Sequence, residues 1–218
     1  MKRRTTRAMR PLTLGLALLT SACAAAPREG SPDSLTSTLI GLQQQQATGA
    51  TGSVHGKHLF TGPDAITRFT DRPVSLIPLS PDLEKAISRA RQQYLDGRRA
   101  PLPYPVALAH FAGLDRQVRE IKRRGFSSLI RVTTTDPKEA RFEFTDVPAG
   151  RWLLVATLTT RVSELYWAVP VEVRAGQALK QDLTEADIWL EAVIKNTTAE
   201  EVLLGRGRPL GQLTWILS

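Results

Sequence analysis

Few side chains in this 218-residue chain are equipped to do chemistry: one cysteine, Cys23, and three histidines, His55, His58 and His110. A structural or catalytic metal centre needs three or four converging Cys, His or carboxylate ligands. His55 and His58 stand three apart in a segment that reads as strand, and an odd offset on a strand sends two side chains to opposite faces. Both are expected as surface histidines, with no metal and no cofactor. Nucleophilic hydrolysis needs an activated hydroxyl or thiol beside a base, and the chain carries neither a Gly-x-Ser-x-Gly elbow nor a His-Glu-x-x-His helix. Carboxylate neighbours such as Glu139 and Glu143 read as strand-surface charges, and the chain is expected not to be an enzyme.

The second kind of chemistry is ionic. Residues 80–125 hold ten basic against five acidic residues, and five of the basic ones, Arg116, Arg119, Lys122, Arg123 and Arg124, fall close together. They form the candidate binding surface, for an anionic envelope component such as lipid head groups, lipopolysaccharide or glycan, or for an acidic protein. The plainer reading is a solvated helix face whose charge keeps the protein soluble. The formal charge of +8 includes five basic residues before Cys23; without them 24 basic face 21 acidic residues, a net of +3. Nucleic acid is therefore not an expected partner.

Cys23 has a context of its own. Lys2, Arg3, Arg4, Arg7 and Arg10 precede an uncharged, leucine-rich stretch over 11–22. That stretch is too short to span a bilayer of about 30 Å, but it has the length and order of a signal peptide. Leu-Thr-Ser-Ala before Cys23 resembles a bacterial lipobox, in which the cysteine is diacylated, by palmitate for example, and begins the mature lipoprotein. Ala24 rather than Asp after it points to the outer membrane, facing the periplasm, in preference to the inner membrane or secretion. Residues 1–22 are then leader and 23–51, rich in Ala, Gly, Ser, Thr and Gln, a flexible tether.

The elements that must carry these groups centre on 142–157, FEFTDVPAGRWLLVAT. Alternation at Phe142 and Phe144, a Pro148–Gly150 turn and an apolar run from Trp152 read as strand, tight turn and buried central strand. Phe142, Phe144, Val147, Pro148, Gly150 and Trp152 match the F-x-F-x-x-V-P-x-G-x-W pattern of the carboxypeptidase-regulatory-like, or transthyretin-like, β-sandwich family, which this segment resembles. Val74-Ser75-Leu76-Ile77-Pro78 is similar to the family's earlier strand. The preceding turn, 136–141, lacks the family's glycine. The resemblance implies an all-β, seven-stranded sandwich over 52–218, with 80–125 as a helical insertion. The catalytic zinc domain found beside such modules would need a His-x-x-Glu pair, and the transthyretin-like hydrolases a C-terminal Tyr-Arg-Gly-Ser; the chain has neither.

Strands are expected at 53–60, 72–79, 127–135, 142–145, 151–159, 165–174, 179–183 and 188–194, two of them flanking the motif's turn. Ser80-Pro81 opens one helix, with Leu83, Ile87, Ala90 and Tyr94 on one stripe and Gly97 as its stop. Gly113 to Gly125 is a second, with Leu114, Val118 and Ile121 inward and three prolines barring helix before it. Pro170 marks an edge or a bulge in its strand. Tyr94, Tyr104 and Phe111 are expected to pack on the sheets rather than line a groove. In 198–218 a capping box at Thr198 and Glu201 suggests a short helix. The functional expectation is a non-catalytic binding or assembly module in the periplasm. A structural anchor in a secretion complex is the second reading, and a hydrolase gathering His110, Tyr104 or a carboxylate pair the third.

Overall fold

The apolar stretches of the chain resolve into two sheets and three helices in a computed structural model, which describes residues 32–60, 72–160 and 163–193. Helix α1 spans Pro32–Ala47, β1 Thr51–Lys57, β2 Pro73–Pro78, α2 Pro81–Asp96 and α3 Tyr104–Arg123. Strands β3 (Arg131–Thr134), β4 (Arg141–Pro148), β5 (Gly150–Thr159), β6 (Ser163–Val173), β7 (Ala178–Lys180) and β8 (Ile188–Val193) follow. The architecture is mixed helix and strand, so the all-β class is corrected; the eight strands among the described residues correspond to the eight expected segments, one more than the seven that the resemblance implies. The expected strand over 127–135 begins as a 3-10 turn and becomes β3 only at Arg131.

One sheet has the order β4-β1-β7, with β1 and β7 parallel; the other has the order β3-β2-β5-β6-β8. β5 lies at the centre of the larger sheet, where residues 152–158 are buried throughout. Both its faces are covered. On the β6 neighbour, Trp167 meets His58 just beyond β1, while Tyr166 on the opposite face meets Phe111 of α3. Helices α2 and α3 thus pack as a third layer on the larger sheet. The indole N–H groups of all three buried tryptophans find carbonyl partners: Trp152 to Pro148, Trp167 to Thr184 and Trp189 to Ile87.

The motif turn does something the alternation does not reveal. β4 and β5 flank Ala149, yet they belong to different sheets, so the turn is a corner that carries the chain from one layer to the other. β4 also holds a bulge: Gly52 pairs with Val147 and Val54 with Phe144, so three steps on β4 oppose two on β1. Asp146, at φ 53°, absorbs the extra residue, which lets Phe142, Phe144 and Val147 all face inward. In the preceding turn Ala140 takes the left-handed conformation, at φ 54°.

Two further expectations change. Residues 32–47 are helix rather than tether. Leu35, Leu39 and Leu42, at i, i+4 and i+7, are buried while the glutamines stay exposed. The helix docks over the β4–β5 corner, where a Cβ on Gly150, at φ 150°, would lie 2.5 Å from Leu42 Cδ2. Replacing Leu39 by Ala is expected to cost about 2 kcal/mol, read as a lowered urea midpoint; a helix that was only a tether would show no change.

The second correction concerns α3, which starts at Tyr104 instead of Gly113 because Pro105 falls in its first turn, where no N–H partner is needed. Gly113 is therefore a mid-helix residue, and a methyl group added there would meet nothing within 4 Å. Gly113→Ala should stabilise the protein by about 0.5–1 kcal/mol in urea unfolding. Gly97 ends α2 as expected, as its C-cap at φ −73°, and Arg98 and Arg99 after it both take φ 58°.

The inward stripes of α2 and α3 lie where expected, with Leu83, Ile87, Ala90, Tyr94, Leu114, Val118 and Ile121 all buried. Ser80 caps α2 by accepting from the Leu83 N–H and donates to Gln117, whose amide donates to Pro78 O at 2.6 Å. Among the described residues no helix is long and apolar enough to cross a membrane. Residues 1–31, including Cys23, and the 198–218 tail lie outside the described residues.

Candidate functional site

The alternation of β1 and β4 that sends Val54, Gly56, Phe142 and Phe144 inward sends His55, Lys57, Arg141 and Glu143 outward. Register then assembles them. His55 pairs with Glu143 on one side and with Lys180 on the other, and Lys57 pairs with Arg141. The resulting face forms one wall of an open cleft of about 630 Å³, which Thr133 and Thr134 of β3 and Asp136 of the β3–β4 connection complete.

Most of its charges are engaged. Glu139 beside the cleft accepts from Lys57 Nζ at 3.4 Å and pairs with Arg141. Asp182 accepts the Lys57 backbone N–H at 2.9 Å and pairs with Lys180 at 3.4 Å. Asp136 accepts the N–H groups of Glu139 and Lys138 at 2.9 and 2.8 Å, and these hold its carboxyl below the usual range. A carboxylate held ionised by fixed donors is a poor general acid and serves as a hydrogen-bond acceptor. The cleft's volume lies within the usual range for small-molecule sites, roughly 300–1,000 Å³, though its walls are far more ionic than is usual for them.

The two neighbouring histidines separate as the strand offset predicts, His55 to the cleft and His58 inward. The expectation of two surface histidines holds only for His55. His58 is 2% exposed, edge-on to Trp167 with ring centroids 4.3 Å apart, and burial pushes its pKa down to about 4. Among the described residues no group of three or more His, Cys, Asp or Glu could hold a metal ion.

Four of the five basic residues of the candidate surface lie on α3 and Arg124 is its C-cap, but carboxylates stand among them. Arg119 pairs with Asp115 one turn earlier. Arg123 donates to Glu120 through Nε and Nη2 at 2.8 and 2.6 Å, and Arg124 Nε donates to it at 2.7 Å. These donors pull the Glu120 pKa down to about 2. Arg124 also donates to Thr36, which ties α3 to α1. Arg116, with Asp82 and Glu120, lines a cavity of about 500 Å³ between the three helices. The i,i+4 spacings make the ion pairs readable in the sequence; the Thr36 contact is hidden there because the composition of α1 reads as tether.

Tyr94 and Phe111 face the sheet, as expected. The Tyr94 hydroxyl is pushed up to about 12 by burial and by Glu191 beside it. His110 lies half-buried on α3 and does not join the cleft. The cleft itself has no signature in the sequence, because its row forms only when β7 pairs parallel to β1, a contact between segments more than a hundred residues apart.

No protein-family model matches the chain, and no curated protein sequence does. Solved structures similar to it in part include a carbohydrate-binding candidate from Pseudomonas aeruginosa, 20% identical over 62% of this chain and 89% of that one, with a TM-score of 0.39. Another is the pilus backbone protein RrgB of Streptococcus pneumoniae, 10% identical over 62% of this chain and 41% of that one, with a TM-score of 0.24. Neither score reaches 0.5, and the description of the fold stands on its own topology.

Proposed function

We propose that the chain is a lipid-anchored envelope protein, held at the outer membrane through Cys23, in which a transthyretin-like β-sandwich presents a non-catalytic binding site to the periplasm. The motif from Phe142 to Trp152 and the corner it forms between two sheets support the family reading. The observation that carries the binding role is the cleft over β1, β4 and β7. Its cations and two of its carboxylates, Asp136 and Asp182, are held by neighbours and by backbone, a preorganised set of donors and acceptors that suits a hydroxyl-rich or zwitterionic envelope component.

The test is calorimetric titration with envelope glycans and their charged fragments, comparing the native chain with the Glu143→Ala and Lys180→Ala variants. Loss of about tenfold in affinity, near 1.4 kcal/mol, is expected for each, because a polar partner is removed from the ligand. Unchanged affinity would move the site elsewhere, and a stable protein partner captured through loops away from the cleft would favour the structural-anchor role. Anchoring is read separately, by palmitate incorporation that Cys23→Ala abolishes.

A further inference from the structure

Six large apolar side chains are markedly exposed among the described residues, and three of them, Leu95, Val106 and Leu108, flank the α2–α3 connection. They occupy the last turn of α2 and the first turns of α3, the two helix ends joined by residues 97–103. Apolar residues scattered singly over a surface need no explanation, whereas a cluster on one projection marks a contact site. Between them stand Arg98 and Arg99, both exposed and both in the left-handed conformation that non-glycine residues seldom take. Further along the same outward side of α3, Ala109 and Ala112 are exposed, then Arg116. The helix thus offers solvent an apolar first half and a basic second half.

We propose that this outward side of the helical layer, led by the α2–α3 tip, rests on an anionic bilayer surface, with Leu95, Val106 and Leu108 at the acyl boundary and Arg98, Arg99 and Arg116 among the phosphates. Charge complementarity and apolar insertion are the two terms that hold an interfacial helix, and both are present on one side here. Geometry agrees with the anchor: nine chain positions from Cys23 reach Pro32, a span of at most about 30 Å. α1 is tied to the far end of α3 through Thr36 and Arg124. A 20-residue helix is about 30 Å long, so anchor and tip reach one bilayer when the helical layer lies along it. The inference rests on the lipid-anchor reading for its orientation and on the exposed side chains for its site.

The experiment uses the mature acylated protein in vesicles of phosphatidylcholine with or without phosphatidylglycerol. A spin label is placed at Val106→Cys or Leu108→Cys, with Glu172→Cys on β6 as an exposed control. With phosphatidylglycerol, the ratio of collision with oxygen to collision with aqueous nickel should rise roughly tenfold at the two tip positions and stay aqueous at the control. Replacing Arg98, Arg99 and Arg116 by Gln should return the tip to aqueous values. Aqueous values at both tip positions in anionic vesicles would overturn the proposal. Palmitate incorporation is followed in parallel. If Cys23 carries no acyl group, the same labels on a chain with Cys23→Ser mixed with the vesicles decide the tip alone: lipid-phase values uphold it while the anchor reading falls, and aqueous values overturn both.

Discussion

Gly56→Ala is expected to cost about 3 kcal/mol or more and to leave little folded protein at 37 °C. A methyl group at this position would lie 1.9 Å from Gln181 O, 2.7 Å from Gln181 C and 2.8 Å from Phe142 Cζ. The first two are backbone atoms, and that backbone is pinned: Gln181 N–H donates to His55 O and Leu183 N–H to Lys57 O. β1 is held on its other side by β4, so relief requires opening the smaller sheet. Overpacking of a well-packed site costs about 1–3 kcal/mol when side chains can yield, and here they are not the obstacle. Urea unfolding checks it, with Gly113→Ala as the matched substitution of opposite sign. A loss below about 1 kcal/mol would mean that the 181–183 segment moves aside freely.

Acid should weaken the protein well before its carboxylates titrate. His58 has a native pKa of about 4 against an ordinary value of 6.5, because burial against Trp167 disfavours the imidazolium. Below 6.5 the unfolded chain takes up a proton that the native chain refuses. Stability is therefore complete above pH 6.5 and is lost as pH falls toward 4. The shift corresponds to about 3 kcal/mol at about 1.36 kcal/mol per pKa unit. The carboxylates held low, Asp136 and Glu120, also lose their stabilisation as pH falls, but in a lower window, Glu120 between its ordinary value and about 2. Urea midpoints at about pH 7 and about pH 4.5 should differ for the native chain and draw together in His58→Phe. Equal slopes in the two proteins would show that His58 does not control this limb.

The contrast between these two residues shows where sequence reasoning reaches. The inward stripes of α2 and α3, the central place of β5 and the opposite faces of His55 and His58 follow from local periodicity, because a side chain's direction is set by its own backbone. Pro170 behaves likewise: its ring marks an edge or bulge, and β8 pairs with β6 only as far as Trp167, so Pro170 lies beyond that pairing. Burial of His58 is not legible in this way. Its strand offers two faces, and which one meets Trp167 depends on a strand more than a hundred residues later.

α1 shows the other limit. Leu35, Leu39 and Leu42 carry a helical period, but a single short stripe among Gln, Ser and Thr cannot hold a helix in water without a surface to dock on. The β4–β5 corner supplies that surface, and Gly150 leaves the room. The chain's own pattern determined the strands, the two amphipathic helices, the motif turn and the cationic composition of α3, since each is a property of neighbours in sequence. Tertiary structure alone decided that the motif turn joins two sheets, that β7 completes the ionic cleft beside β1, that α1 is part of the fold and that Gly56 admits no side chain. Those outcomes depend on which distant backbones approach one another, and sheet pairing between remote segments leaves no periodic trace in either of them.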